Sequence, residues 1–290
     1  MMKASESTWL VPTDGSFDRN CFSTTPPDDA PGDKACKKRL RKEVKQIDEL
    51  QRRLYAGDRK SLLLLFQAMD AAGKDSTIRA VLRGVNPAGC QVSSFKQPSS
   101  EELDHDFLWR SVKRLPDRGR IGVFNRSYYE EVLVVRVHPE YLGAQRLDLP
   151  ADMEDFWQAR YRAICDPERH LAENGTVILK FWLTVSREEQ KRRFLSRLNE
   201  PEKHWKFSSG DLEERKLWDA YMDAYQQALA TTSKPWAPWY AIPADNKRWM
   251  RYQVGKIVRE TLEALDPQYP DVSSTDLAHF QEMRDQLNGE

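Results

Sequence analysis

A glycine, a lysine and two carboxylates stand close together in the string FQAMDAAGKDSTI at residues 66–78. The string partly matches the phosphate-loop pattern G-x-x-x-x-G-K-[ST]: Gly73 and Lys74 fit, whereas Ala68 and Asp75 replace the first glycine and the hydroxyl residue. Backbone N–H groups around Gly73 and the positive end of a following helix bind phosphate oxygens, and Lys74 adds a mobile cation. The string therefore predicts a phosphate-binding loop, with an ordinary strand-to-helix turn as the alternative.

Asp70 lies inside this predicted loop. A carboxylate beside phosphate is repelled unless a cation lies between them, and Mg²⁺ takes carboxylate oxygens and substrate phosphates as ligands. We therefore expect Asp70 to hold Mg²⁺, directly or through water. The alternative is a turn-capping aspartate that hydrogen-bonds the backbone.

A second polar group follows an apolar run in IGVFNRSYYEE at residues 121–131. Ligands bind at the carboxyl ends of parallel strands, where Asn125 and Arg126 would lie. Arg126 offers a planar fork that bridges phosphates, and Asn125 offers a neutral metal ligand. Asn125 and Ser127 are alternatively helix caps.

Basic side chains are concentrated after the fourth predicted strand. Arg193 and Arg197 are four residues apart and share one helical face, with further cations around them: Arg187, Lys191, Arg192 and Lys203. The cluster predicts anion binding by a mobile lid at about residues 187–210. A solvated helix face paired with Glu188 and Glu189 is the alternative.

The elements that must position these groups alternate along the chain. Short apolar runs at 61–66, 90–95, 121–124, 176–185 and 239–242 predict strands. Helical patterns cover 34–55, 76–85, 101–114, a stretch from 127, 152–173, 186–198, 210–231 and 246–265, and Pro167 should kink or break its helix. Strand and helix alternation predicts an α/β fold with a five-stranded parallel sheet.

The net charge of zero, from 45 basic and 45 acidic residues among 290, argues against a polyanionic partner only if charge is evenly spread. It is not, because residues 34–60 hold 11 Lys or Arg against 4 acids and residues 259–290 hold 2 against 8. No run suits a membrane span or a secretory signal, and four cysteines without a C-x-x-C pair fit a reducing cytoplasm. Residues 1–33 predict an extended or disordered arm, and 34–290 a single domain.

Taken together, the ordered motifs resemble the polyphosphate kinase 2 family over about residues 35–265. They are FQAMDAAGKDSTI (66–78), GVNPAG (84–89), SFKQP (94–98), FNRSYYEE (124–131), EPEKHWKF (200–207) and APWY (237–240). The string VLVVRVH at 132–138 is most similar to the class III branch. The resemblance implies a thymidylate-kinase-like P-loop fold and reversible, Mg²⁺-dependent phosphoryl transfer between inorganic polyphosphate and AMP or ADP.

The resemblance also implies roles for individual residues. It implies catalytic roles for Asp70, Lys74 and Arg126, with Asp70 and Asn125 as metal ligands. Polyphosphate would meet the phosphate loop, Arg126 and the lid, at Ala72, Gly73, Lys74, Asp75, Ser76, Arg192, Arg193, Arg197 and Lys203. The nucleotide would meet Arg83, Lys96, Asn125, Tyr129, Glu130 and Arg136. The resemblance further implies Mg²⁺, with Mn²⁺ as a substitute, and a homodimer or homotetramer. We expect neither a nucleic-acid nor a membrane partner.

Two positions depart from many family members, which have Gly at 68 and Asp at 125. Ala68 restricts the backbone, and Asn125 removes a carboxylate that would help to hold the metal. We interpret Asn125 as a class III feature. Two rival functions stay open from the sequence: an ATP-dependent nucleotide or nucleoside kinase of the same fold, and a non-enzymatic module that binds polyphosphate or nucleic acid through residues 34–60.

Overall fold

A five-stranded parallel sheet forms the centre of the molecule in the computed structural model, which describes residues 6–208 and 210–290. The strand order is β2-β3-β1-β4-β5. The strands are β1 (Ser61–Gln67), β2 (Cys90–Ser94), β3 (Ile121–Asn125), β4 (Thr176–Thr184) and β5 (Trp239–Pro243). The predicted α/β class and the five-stranded parallel sheet are confirmed.

The central strand, β1, shows why the sheet forms from this sequence. All seven of its residues are buried, as expected for an apolar strand with helices on both faces. In the parallel register, Phe66 lies opposite Asn125 of β3 and Phe181 of β4. The carboxyl ends of β1 and β3 therefore meet, and both polar motifs follow them.

The helices cover the sheet in two groups. Helices α1, α2 and α10 pack together, and α5, α6 and α9 form the other group. The helices are α1 (Asp33–Gly57), α2 (Lys74–Val81), α3 (Ser100–Leu103), α4 (Trp109–Val112), α5 (Val134–Val137), α6 (Met153–Glu173), α7 (Arg187–Asn199), α8 (Gly210–Lys216), α9 (Trp218–Thr232), α10 (Lys247–Leu265) and α11 (Ser274–Asn288).

Three predicted helices differ from the structure because local side chains interrupt them. The pattern at 101–114 is split into α3 and α4, since the Asp106 carboxylate accepts the Leu108 N–H and starts a new turn. The stretch after Ser127 is a 3-10 helix, in which the adjacent Tyr128 and Tyr129 both turn inward. The helix predicted at 210–231 is broken at Leu217 into α8 and α9.

Two other helices differ from the sequence pattern. Helix α6 continues past Pro167 to Glu173, so of the kink or break predicted there, the break does not occur. Tertiary contacts of its buried Tyr161, Ile164 and Glu168 hold both halves against the core. The sequence pattern also missed α11, whose residues are all exposed.

The N-terminal arm is attached to the sheet where it is described. Val11 is fully buried, its N–H donates to Trp239 O, and Leu10 forms an antiparallel bridge with Tyr240. The arm is thus bound to β5 at residues 9–11, whereas Arg19–Cys21 form a short 3-10 helix and Arg19 N–H donates to Gln226 of α9. Residues 1–5 of the predicted arm lie outside the described residues.

Neither a membrane span nor a disulfide is present in the described part of the chain. No helix within residues 6–208 and 210–290 combines the length and apolar character needed to cross a bilayer. Cys21, Cys36, Cys90 and Cys165 are all free.

Candidate active site

The segment between β1 and α2 has the geometry of an anion-binding loop. Gly73 has a positive φ of 112°, a conformation that favours glycine, and α2 begins at the next residue. The hydroxyl groups of Ser76 and Thr77 both donate to Gly73 O at 3.0 Å and so fix the turn. Ala68 has no positive φ, so the alanine at this position meets no backbone penalty. The loop places the amides of residues 73–76 at the positive end of α2.

Lys74 points back across this loop. Its ammonium group donates to Ala68 O at 2.6 Å, and the residue is 8% exposed. Burial, followed by the charge of Arg126, lowers the pKa of Lys74 to about 8. An approaching phosphate would supply the negative charge that this cation lacks, so Lys74 is suited to bind one.

Asp70, Arg126 and Glu130 form one ion-pair cluster beside the loop. Arg126 Nη2 lies 2.8 Å from Asp70 Oδ1, and Arg126 Nη1 lies 3.0 Å from Glu130 Oε2. Glu130 first, and Asp70 to a smaller extent, raise the pKa of Arg126. Arg126 has a positive φ of 62°, and its N–H donates to Phe66 O at 3.0 Å. The ends of β1 and β3 therefore bring together all three predicted catalytic residues.

Asn125, at the end of β3, contacts the start of α2. Its side-chain nitrogen donates to Asp75 Oδ1 at 2.7 Å. The structure thus joins Asn125 to the first turn of α2, and the ion-pair partner of Asp70 is Arg126. A metal role for Asn125 stays a prediction.

The side chain of Arg193, from helix α7, lies beneath the loop. It is 4% exposed, and Nη1 donates to Ala71 O at 3.1 Å and to Ala72 O at 2.6 Å. Nη2 donates to Ala244 O at 2.5 Å, which links the loop to the end of β5. Its predicted contact with polyphosphate does not match this geometry, because the guanidinium is already used to bind backbone carbonyls. The Glu189 N–H donates to Ser186 Oγ at the start of α7, and the Glu189 carboxylate pairs with Arg193.

Three further cations of the predicted lid have carboxylate partners. Arg192 is largely exposed and pairs with Glu189, Arg197 lies 3.4 Å from Asp211, and Lys203 pairs with Glu200. Burial raises the pKa of Asp211, and the negative charge of Asp70 raises it further. The negative charge of Asp70 thus acts on the carboxylate that pairs with Arg197, whereas Arg192 faces solvent.

A cavity of about 330 Å³ opens from Arg126 and Glu130. Lys96, a predicted nucleotide-binding residue, also lines it, together with apolar groups such as Phe107 and Tyr141. Its walls mix charged and apolar side chains, as in pockets for small organic ligands. Sequence reasoning missed Arg110, which lines the cavity and donates to Lys96 O at 2.8 Å. In the sequence, Arg110 was only one arginine within the stretch 101–114, which was predicted to be a single amphipathic helix.

The remaining predicted nucleotide residues lie elsewhere. Tyr129 is fully buried, Arg136 stacks over Trp157 and donates to Tyr161, and Arg83 lines a separate groove beside α2. None of the three lines the 330 Å³ cavity.

Tyr129 belongs to a buried network that supports the Arg126 segment. Lys180 Nζ lies 2.7 Å from Glu168 Oε2 and 2.7 Å from Tyr129 OH, and it donates to Thr232 O at 2.9 Å. The hydroxyls of Tyr128 and Tyr129 both donate to Glu168 Oε1. Because every member has a partner, the network holds residues 128–129, and thus the neighbouring Arg126 and Glu130, against α6 and β4.

The residues around Asp70 suit Mg²⁺ bound partly by substrate. Among residues 6–208 and 210–290, no three His, Cys, Asp or Glu side chains are grouped to hold a metal ion. Mg²⁺ is often held by one or two carboxylates together with substrate phosphates and water, and Asp70 supplies a partly exposed carboxylate beside the phosphate loop. The donor set therefore fits the ion when phosphate is present.

Comparisons with known proteins agree with this geometry. The model of the family described as Polyphosphate kinase 2 (PPK2) matches residues 32–270. The chain is 54% identical over 249 residues to an ADP-polyphosphate phosphotransferase from Rhodopseudomonas palustris, covering 86% of each chain. It is 47% identical to an AMP/ADP-polyphosphate phosphotransferase from Meiothermus ruber, covering 90% of this chain and 94% of that one. The crystal structure of Polyphosphate Kinase 2 from Arthrobacter aurescens TC1 superimposes with a TM-score of 0.86 at 37% identity, covering 97% and 98% of the two chains.

Proposed function

The chain belongs to the polyphosphate kinase 2 family, and we propose that it is a class III member that transfers phosphoryl groups reversibly between inorganic polyphosphate and adenine nucleotides, from AMP to ADP and from ADP to ATP. The observation that carries this proposal is the single cluster of Lys74, Asp70 and Arg126 at the ends of β1 and β3. The cluster lies between an anion-binding loop and a cavity large enough for a nucleotide.

The proposed reaction needs alignment and charge neutralisation more than covalent chemistry from the protein. A terminal phosphate oxygen of the nucleotide attacks the last phosphorus of polyphosphate. The new P–O bond forms as the bond to the next phosphate unit breaks, and the shortened chain leaves with the electron pair. Lys74 and the amides of Ala72, Gly73, Asp75 and Ser76 hold the donor phosphate, and Arg126 bridges donor and acceptor.

Asp70 would hold Mg²⁺, which neutralises phosphate charge and orients the reacting oxygens when it is bound. Arg126 then exchanges part of its ion pair with Asp70 for phosphate oxygens. Glu130 keeps a second contact to Arg126 at 3.0 Å, which steadies the guanidinium during that exchange. Mn²⁺, which also accepts oxygen ligands, is the expected substitute.

Lys96 and Arg110 are the cations of the 330 Å³ cavity suited to the acceptor's phosphate. The apolar part of its wall, with Leu103, Phe107 and Tyr141, suits the ribose and base. Glu130 remains a nucleotide-side residue because it lines this cavity. We assign no nucleotide contact to Tyr129, Arg136 or Arg83.

The wider organisation of the protein is proposed on the same basis. Residues 34–290 form one phosphotransferase domain preceded by the arm, residues 187–210 act as its lid, and the protein works in the cytoplasm. A homo-oligomer is supported by exposed apolar residues on α11, namely Leu277, Phe280, Met283 and Leu287.

A direct assay separates this function from its rivals. The protein is incubated with Mg²⁺, polyphosphate and AMP or ADP, without ATP, and the nucleotides are followed by chromatography. Formation of ADP and ATP is expected. An ATP-dependent kinase would form neither product from AMP and polyphosphate. Any ATP that it made from ADP would appear with an equal amount of AMP and would not need polyphosphate. A binding module would retain polyphosphate without turnover even after Lys74→Ala.

A further inference from the structure

Both ring nitrogens of His138 face carboxylates. Nδ1 lies 3.1 Å from Glu140 Oε1, and Nε2 lies 3.0 Å from Glu214 Oε2. An ionised carboxylate only accepts hydrogen bonds, and an imidazole donates from both nitrogens only when it is protonated. A neutral ring would turn a nitrogen lone pair towards one of the two carboxylates. The geometry therefore selects the charged form of His138.

The groups around His138 favour the same form. Its side chain is 16% exposed, and this burial opposes the charge, but the hydrogen bonds and negative charges of Glu214 and Glu140 outweigh it and raise the pKa of His138. The other titratable groups that face the ring are Tyr141, three residues further along the chain, and Tyr221 of α9. Burial raises the pKa of Tyr221, which therefore stays a neutral donor.

His138 also contacts the wall of the nucleotide cavity. It caps the 3-10 helix Pro139–Gln145, and three residues of that helix, Tyr141, Ala144 and Gln145, line the 330 Å³ cavity. The His138 and Tyr141 rings are stacked, with centroids 5.1 Å apart and planes at 19°. The Tyr141 N–H donates to His138 O at 3.0 Å. The orientation of the imidazole therefore bears directly on that of the Tyr141 ring.

On the other side of the imidazole, Glu214 extends the contact towards the phosphate loop. Its Oε2 atom also accepts the Tyr221 hydroxyl at 2.5 Å, and both residues line a cavity of about 140 Å³ that Asp70 lines as well. Arg215, the next residue, donates to Gln190 Oε1 at 2.8 Å, and Gln190 Nε2 donates to Asp70 O at 3.0 Å. Helix α8 is thus bonded both to His138 and, through α7, to the loop that carries Asp70.

We propose that protonated His138 is a positioning residue that holds Tyr141 in the wall of the nucleotide cavity and attaches this wall to α8. The inference rests on the proposed function, because it assigns the cavity to the acceptor nucleotide. With both carboxylates bound, the imidazole cannot turn, so Tyr141 is ordered before the nucleotide arrives and less order is lost on binding. A neutral ring keeps only one carboxylate. This contribution is therefore present at low pH and is lost as the pH rises through the raised pKa of His138.

The test measures the Kd of AMP, without polyphosphate, for His138→Gln and the wild-type protein at pH 6 and pH 9. At pH 6, where His138 is charged, the variant should bind AMP about fivefold more weakly. At pH 9 the wild type has lost the same contact, so the ratio of the two Kd values should fall to about twofold or less. Use of the ratio cancels the titration of the AMP phosphate. The exposed His170→Gln of α6 is the control, with a ratio of about one at both pH values.

A second measurement follows the proton itself and needs no nucleotide. NMR titration of the imidazole, assigned by the signal that His138→Gln lacks, should show a raised pKa in the wild type. In Glu214→Gln the pKa should be lower, because one of the two carboxylates is removed. The matched control is Glu213→Gln, which removes the adjacent charge of α8 without a contact to His138 and should change the pKa much less.

A Kd ratio that stays the same at both pH values would show a role independent of the proton and would overturn the inference. A wild-type pKa of His138 at or below its ordinary value, or an equal fall in Glu213→Gln and Glu214→Gln, would overturn it as well. If His138 titrates as expected and AMP binds with this pH dependence, but no phosphate passes from polyphosphate to AMP, the proposed function alone is overturned.

Discussion

Arg126 Nη2 lies 2.8 Å from Asp70 Oδ1, so the arginine proposed to bridge phosphates and the carboxylate proposed to hold Mg²⁺ form one ion pair. The pair joins the ends of β1 and β3. It keeps both side chains in place before substrate arrives, and Glu130 on the other arm of the guanidinium limits how far Arg126 can turn. Substrate binding must therefore share or open this ion pair.

Substitution of Asp70 should lower turnover while the binding of polyphosphate is retained. Asp70→Asn should lower kcat by more than about 100-fold, because the metal loses its carboxylate ligand. Binding of polyphosphate, measured by titration without nucleotide, should survive because Lys74 and the loop amides remain. The exposed Asp166→Asn is the control and should keep kcat. A near-normal kcat for Asp70→Asn would remove this residue from the mechanism.

The pKa of Lys74 predicts a pH dependence. The protonated form binds phosphate, and the pKa of Lys74 in the free protein is about 8. With tripolyphosphate as donor, kcat/KM should therefore be constant below pH 8 and fall about tenfold per pH unit above it. Lys74→Arg keeps its charge at high pH, so its residual activity should lack this decline. A decline of the same form in Lys74→Arg would assign the titration to another group.

Substitutions of two adjacent arginines of α7 should have very different effects on the free energy of unfolding. Arg193→Ala removes a buried guanidinium that binds loop and β5 carbonyls, so the free energy of unfolding should fall by about 2–4 kcal/mol. Arg192→Ala removes an exposed ion pair and should cost less than about 1 kcal/mol. Urea unfolding of both variants measures the difference. Equal losses would show that Arg193 does not support the loop.

The buried Lys180–Glu168 pair should contribute more to the free energy of unfolding than an exposed ion pair does. Glu168→Gln leaves the Lys180 charge without its carboxylate, so the free energy of unfolding should fall by about 3–5 kcal/mol. The exposed Lys216–Glu213 pair is the matched control, and Glu213→Gln should cost less than about 1 kcal/mol. Thermal and urea unfolding should agree on this order. A loss below about 1 kcal/mol for Glu168→Gln would contradict the structural role of the network.

The sequence predicted the sheet and the polar motifs at the ends of β1 and β3 well because both follow from local patterns. The apolar run of β1 and the glycine turn before α2 are short-range signals that tertiary packing reinforces. The strand order β2-β3-β1-β4-β5 was not predicted, because the alternation of strands and helices does not fix which strands are neighbours.

Side-chain partners were harder to predict because they depend on contacts between distant elements. Arg192 and Arg193 look alike in sequence, yet one faces solvent and the other binds carbonyls 121 and 51 residues away. Tyr129 lies within the motif FNRSYYEE and was predicted to contact the nucleotide, but its hydroxyl is bonded to the buried Lys180 and Glu168 in the core. Pro167 is tolerated in α6 because the helix is held by packing on both sides.

Transfer of label from polyphosphate to AMP tests the central claim most directly. The protein is incubated with Mg²⁺, AMP and polyphosphate labelled throughout with ³²P, without ATP, and the products are separated over time. The proposed function predicts label first in ADP and then in ATP, and no transfer by Lys74→Ala. Label that appears only as orthophosphate, or that reaches nucleotide only when ATP is added, would contradict it.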